Sequence, residues 1–100
     1  MVKRRSVRGS GVILRVVILK AIHDCSQRYG EEATIGRIAF LSSNTHPRVK
    51  PQVVAMVELG LVERHNGSYT PVYTLTPEGI KVVQTWSELL RLIGMVETPL

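Results

Sequence analysis

The sequence predicts a single α+β domain built from three helices, a two-stranded hairpin and a long fourth helix at the C-terminal end. Three observations carry this. The first is the stretch Leu59–Gly79, LGLVERHNGSYTPVYTLTPEG. A helix ends at Gly60, a short apolar strand follows at Leu61 and Val62, and a polar turn at His65-Asn66-Gly67-Ser68 reverses the chain. A second strand alternates through Tyr73 and Leu75, and Thr76-Pro77-Glu78-Gly79 opens another helix. The second observation is the 3–4 spacing of apolar residues before Gly30 and again between Val49 and Val57. The third is size. A chain of 100 residues with 44% apolar side chains makes one domain with one modest core, and its five aromatics leave that core to Val, Ile and Leu.

Residues 1–9 read as a flexible basic arm and residues 10–96 as the folded domain. Ser10 suits the N-cap of helix 1, which should run to about Tyr29 with Gly30 as its stop. Helix 1 has two apolar stripes. Leu14, Ile18, Ala21, Ile22, Cys25 and Tyr29 form a core face, and Val12, Val16 and Leu19 form a second stripe rotated away from it. A small domain does not usually bury both, so the second stripe predicts a partner subunit. Glu31-Glu32-Ala33 has room only for a minimal strand. Thr34 caps helix 2, Ile35 to about Ser42, with Ile38, Ala39 and Leu41 inward. Ser43-Asn44-Thr45-His46 is a turn of small polar residues. Helix 3 ends near Leu59 with Val49, Val53, Met56 and Val57 inward. Pro47 and Pro51 both suit only a first turn, where the missing N–H is not needed. Regular helix is therefore expected from about Pro51, after an irregular turn from Pro47. Pro77 opens helix 4, which should reach Ile93 before Gly94. Its apolar residues, Ile80 to Ile93, are too many for one face.

The formal net charge of +5 suits a polyanionic partner. Lys3, Arg4, Arg5 and Arg8 hold much of it, and Ala33–Val57 carries Arg37, His46, Arg48 and Lys50 with no Asp or Glu. One cysteine, Cys25, excludes an intrachain disulfide and a thiolate zinc cluster, and leaves open a disulfide between subunits. His23, Asp24 and Cys25 are consecutive on a helix, so they point about 100° apart and cannot converge. No catalytic set, metal or cofactor is expected. Gly9-Ser10-Gly11 lacks the preceding strand and following Lys of a phosphate loop. The N-terminal KRR followed by GVILRVVIL mimics a secretory signal, but Arg15 interrupts it and no small-residue cleavage site follows. No apolar stretch approaches the ~20 residues that span a bilayer. The expected compartment is the cytoplasm, with no membrane partner.

LGLVER (Leu59–Arg64) and YTLTPEG (Tyr73–Gly79), with the helix spacing around them, resemble the winged-helix regulators of the MarR and PadR type and the small winged-helix proteins of archaea and their viruses. The resemblance implies a winged helix-turn-helix, with helix 3 in a groove of double-stranded DNA, the hairpin tip on the backbone beside it, and helices 1 and 4 packed across a two-fold axis. One departure is HPRVKP, where such proteins usually start helix 3 with Ser and Thr. Carried onto this chain, Arg48, Lys50 and Gln52 meet phosphates and base edges from the start of helix 3. Thr45 and His46 reach phosphates from the turn, and Arg37 lies in the same acid-free span. Arg64, His65, Asn66, Ser68 and Tyr69 form the wing tip. Lys3, Arg4 and Arg5 lie in the arm, which suits a groove or the phosphate backbone. Val12, Val16, Leu19, Val82, Trp86, Leu89 and Ile93 form the dimer interface. The expected protein is a homodimeric, sequence-specific regulator of transcription. The alternative is a winged-helix module for protein or RNA that does not bind duplex DNA.

Overall fold

Helix α1 (Val7–Gln27) runs through the middle of the domain, with α2 (Ile35–Ser42), α3 (His46–Glu58), β2 (Pro71–Leu75) and α4 (Pro77–Leu92) laid against it, while β1 (Val62–Asn66) packs on β2 and α3. The computed structural model describes residues 7–94. Lys3, Arg4 and Arg5 lie outside them. Helix α1 already begins at Val7, so Ser10 lies inside it and not at its N-cap. Extending an existing helix by a residue gains a hydrogen bond for one fixed residue, and a lone Gly or Ser does not stop it. Among the described residues, no helix is long and apolar enough to cross a membrane.

The central position of α1 changes the reading of its two stripes. Leu19 is as buried as Ile18, Ile22 and Cys25, and Val16 is nearly so. Helix α4 lies along that flank, and its Val82 and Val83 pack against the same core. The domain thus buries most of a stripe that the sequence assigned to a partner, and Val12 alone of the three stays exposed. At the other end α1 stops at Gln27 rather than Tyr29, and Tyr29 is on the surface.

Helix α2 has the boundaries its sequence predicts. The Thr34 hydroxyl accepts the Arg37 N–H at 3.1 Å, and Ser43, at φ 57°, closes the other end. Helix α3 starts at His46, five residues earlier than expected, and takes Pro51 into its interior. The Thr45 carbonyl accepts N–H groups from both Arg48 and Val49. Pro51 cannot donate to the Pro47 carbonyl, but Pro47 is exposed and water can serve that oxygen. Val49, Val53 and Met56 are fully buried on one stripe, and their burial holds the helix regular through the proline.

The two strands pair antiparallel with Val62 opposite Leu75, Arg64 opposite Tyr73 and Asn66 opposite Pro71. His65 and Asn66 are therefore strand residues, and the turn lies at 67–70, further along than predicted. Glu31–Ala33 forms no strand. One hydrogen bond, Tyr73 N–H to the Ala33 carbonyl at 3.0 Å, ties the hairpin to the start of α2.

The base of the hairpin is the tightest junction. Gly60, at φ 81°, ends α3 in a conformation that side chains rarely adopt. The Leu61 N–H reaches back to the Met56 carbonyl at 2.9 Å, and the Leu61 carbonyl accepts the Thr76 N–H at 3.1 Å. Thr76 then caps α4 through the Gly79 N–H. A methyl group on Gly79 would stand 2.2 Å from the Leu61 carbonyl oxygen.

This packing sets the sign of a glycine substitution. Ala normally stabilises a helix relative to Gly by about 1 kcal/mol. Gly79→Ala should instead destabilise by roughly 1–3 kcal/mol, because backbone must move. Gly36→Ala in α2, where a methyl group meets nothing closer than 4.0 Å, should show the ordinary gain. Urea unfolding of the two variants measures the opposite signs. Cys25 supplies a second prediction. Burial pushes its thiol above the ordinary 9.0, a rise opposed by Arg37 and aided by Glu31 and Asp24. The folded chain then holds this proton more tightly than the unfolded chain, so stability falls as pH rises through the unfolded thiol's range. Between about pH 8 and pH 10, Cys25→Ala should lose less stability than the parent chain.

Candidate nucleic-acid interface

The inward stripe of α3 fixes where its other side chains go. With about 100° per residue, Arg48 and Lys50 leave the two flanks of the helix on either side of buried Val49. Both are exposed, as are Thr45, His46, Pro47 and Pro51. From Ala33 to Val57 no acidic residue offsets this surface, and Glu58 closes it. Arg37, on α2, is exposed and pairs with Glu31 at 3.1 Å.

Lys50 stands between two clefts that separate α3 from the wing. One is lined by Thr34, Gly36, His46, Lys50, Thr70 and Tyr73. The other is lined by Lys50, Val54, Glu58, Arg64, Pro71 and Tyr73. Successive strand side chains alternate between faces, so Arg64 shares a face with Tyr73, towards α3, and His65 faces away. His65 is engaged there: its Nε2 is 2.8 Å from the Thr74 hydroxyl and 3.6 Å from the Glu63 carboxylate. Arg64 and His65, grouped at one tip by the sequence, thus sit mid-strand on opposite sides. Ser68 and Tyr69 are at the tip, and Tyr69 is 99% exposed.

Gln52 differs from its predicted role. It is half-buried on the α1 side of α3, where Arg15 Nε donates to its side-chain oxygen at 2.8 Å. Drawn to the α1 side by this bond, the amide points away from the outward face of α3, where a base edge would lie. The partner, Arg15, is a residue that the sequence marked only as a break in an apolar run. A lone cation inside that run was the signal to follow. Thr70, at the mouth of the first cleft, was also missed, because the turn was placed too early.

The remaining candidates separate cleanly. Asp24 is buried, with Lys20 Nζ at 3.8 Å and His23 Nδ1 at 3.9 Å, while Cys25 turns into the core. Complete burial of Cys25 removes the open possibility of a disulfide between subunits. Among the described residues, no three His, Cys, Asp or Glu side chains are grouped to hold a metal ion. Of the expected dimer residues, Leu19 and Val16 belong to the chain's own core, Val82 and Trp86 are half-buried, and Val12, Leu89 and Ile93 are exposed. Trp86, Val82, Leu89, Val16 and Leu61 line a groove of about 430 Å³ between α1 and α4.

No protein-family model matches the chain, and no curated protein matches it significantly. Solved structures do. A mutant of MepR from S. aureus, bound to an oligodeoxyribonucleotide, is similar with a TM-score of 0.68 and 19% identity over 80% of this chain and 58% of that one. AF1382 from Archaeoglobus fulgidus is similar at 0.67 and 18%, over 81% and 87% of the two chains. A possible HxlR-family transcriptional factor from Thermoplasma volcanium GSS1 is similar at 0.66 and 20%, over 90% and 79%. The chain spans less than two thirds of the MepR length. The likeness to these structures shows a winged-helix fold. With three helices, an antiparallel hairpin and a long fourth helix in the same order, the fold of this chain is the winged helix-turn-helix.

Proposed function

We propose that the chain is a sequence-specific transcriptional regulator that binds duplex DNA as a homodimer, with α3 in the major groove and the wing along the adjoining backbone. The observation that carries this reading is the exposed, acid-free start of α3, where Arg48 and Lys50 flank the helix and Arg64 faces it across the cleft. Cations on two sides of an exposed helix suit the two phosphate walls of a groove. The reading also takes in Arg37, Thr45, His46, Asn66, Ser68 and Tyr69, and the arm residues Lys3, Arg4 and Arg5, which lie outside the described residues. The MepR neighbour bound to an oligodeoxyribonucleotide supports the reading by likeness of fold.

Dimerisation rests on exposed apolar surface. Val12, Ile13 and Val17 on α1 and Leu89, Leu92 and Ile93 at the end of α4 are all more than a third exposed, and the Trp86 groove adjoins them in sequence. Contiguous apolar patches of this kind are unusual on monomers. A two-fold dimer that buries them would set two copies of α3 about one DNA turn, ~34 Å, apart.

Two experiments test these claims. The folded Arg48→Ala, Lys50→Ala double variant should bind duplex DNA more weakly, with the log–log salt slope lower by about 0.9 for each phosphate that is no longer neutralised. Unchanged affinity and slope would remove α3 from the interface, and retention of RNA in place of duplex would favour the rival module. Leu92→Glu, at a 68% exposed position where folding does not depend on it, should shift the chain towards monomer in sedimentation and weaken DNA binding. Trp86→Ala should act in the same direction, since aromatic anchors dominate such interfaces. A well-folded parent chain that sediments as a monomer at micromolar concentration would exclude the dimer.

A further inference from the structure

The outward face of α3 is apolar. With Val49, Val53 and Met56 turned in, the helical repeat places Pro47, Pro51, Val54 and Ala55 on the opposite side, and they line one shallow groove with Lys50 and Glu58. Val54 is 45% exposed, and both prolines are exposed. Glu58 is the polar group on this face and stands at its C-terminal end. Arg48 and Lys50 leave the helix on its flanks, about 160° apart across this face, and the strip between them carries no donor or acceptor until Glu58 at its C-terminal end. Gln52, the side chain with an amide to read a base edge, is held by Arg15.

Resting on the regulator reading, we propose that α3 selects its site through the 5-methyl groups of thymine, with Pro51, Val54 and Ala55 against the methyls while Arg48 and Lys50 hold phosphates. Thymine methyl is the apolar group that an unmodified base pair presents in the major groove, and small apolar side chains are its complement. Charge chooses DNA as the occupant over an apolar protein surface. The strip runs along the acid-free span from Ala33 to Val57, is flanked by Arg48, Lys50 and His46, borders the cleft that holds Arg64 of the wing, and meets an acid, Glu58, at its C-terminal end. A protein partner covering Pro51 and Val54 would have to desolvate these cations. The sites so read are rich in T·A pairs at the centre of each half.

The test uses the full chain. Selection from a pool of random duplexes gives the bound sequence, which is then made with thymidine or with deoxyuridine at every T. Uracil keeps every hydrogen-bonding group and every minor-groove atom of thymine and lacks only the methyl. The deoxyuridine duplex should bind about three- to fourfold more weakly for each methyl buried. Val54→Ser removes both γ-methyls at a 45% exposed position, so it should narrow that gap with little change in folding. Equal binding of the two duplexes, or a selected site without T under α3, would overturn the proposal while leaving duplex binding intact. The apolar strip would then be a protein-docking face. Failure to retain any duplex would overturn the regulator reading, and the methyl reading with it.

Discussion

The peptide carbonyl of Leu61 is the point on which the domain is assembled. It accepts the Thr76 N–H, lies against Gly79, and belongs to the residue whose own N–H closes α3 on Met56. The Thr76 hydroxyl adds a bond to the neighbouring Gly60 carbonyl at 2.6 Å. Three elements therefore meet at two consecutive peptides: the end of α3, the foot of the hairpin and the cap of α4. Fixing them together sets the angle of the wing to α3 and sets α4 along the flank of α1. The clefts that hold Lys50 and Arg64 exist because this corner does not open.

Much of the fold was legible because it is written in local chemistry. Thr34, Gly60, Thr76-Pro77 and Gly94 mark element ends through hydrogen bonds or conformations confined to a few residues, and each does so in the structure. The misses have a common cause, which is tertiary context. Pro51 reads as a helix start by its own chemistry, yet three buried residues around it carry the helix across. The second stripe of α1 reads as surplus until α4 is known to cover it. The hairpin tip slipped because His65-Asn66-Gly67-Ser68 has turn composition, while pairing of Asn66 with Pro71 moves the reversal to the next residues.

The candidate site was legible in outline and not in its wiring. A run without acids from Ala33 to Val57 located the cationic surface, and Arg48, Lys50 and Arg64 are where that surface forms. Which side chains are free is a different question, settled by partners distant in sequence. Arg15 engages Gln52 across 37 residues, and His65 finds Thr74 and Glu63 on the far side of the wing. Strand alternation could have separated Arg64 from His65 had the strand been drawn to its full length.

The two prolines of α3 give its beginning an unusual property. A helix N-terminus ordinarily presents several unpaired N–H groups, and these bind small anions. Here Pro47 has no N–H, and that of Arg48 is already directed at the Thr45 carbonyl beside the ordinary bond from Val49. The converging donors that a lone phosphate or sulfate needs are thereby reduced. What remains is a set of long cationic side chains spaced along a rigid rod, which match a regular array of charges far better than a single ion. On the regulator reading, such a helix start favours the regular charges of a polymer over the free inorganic anions around it.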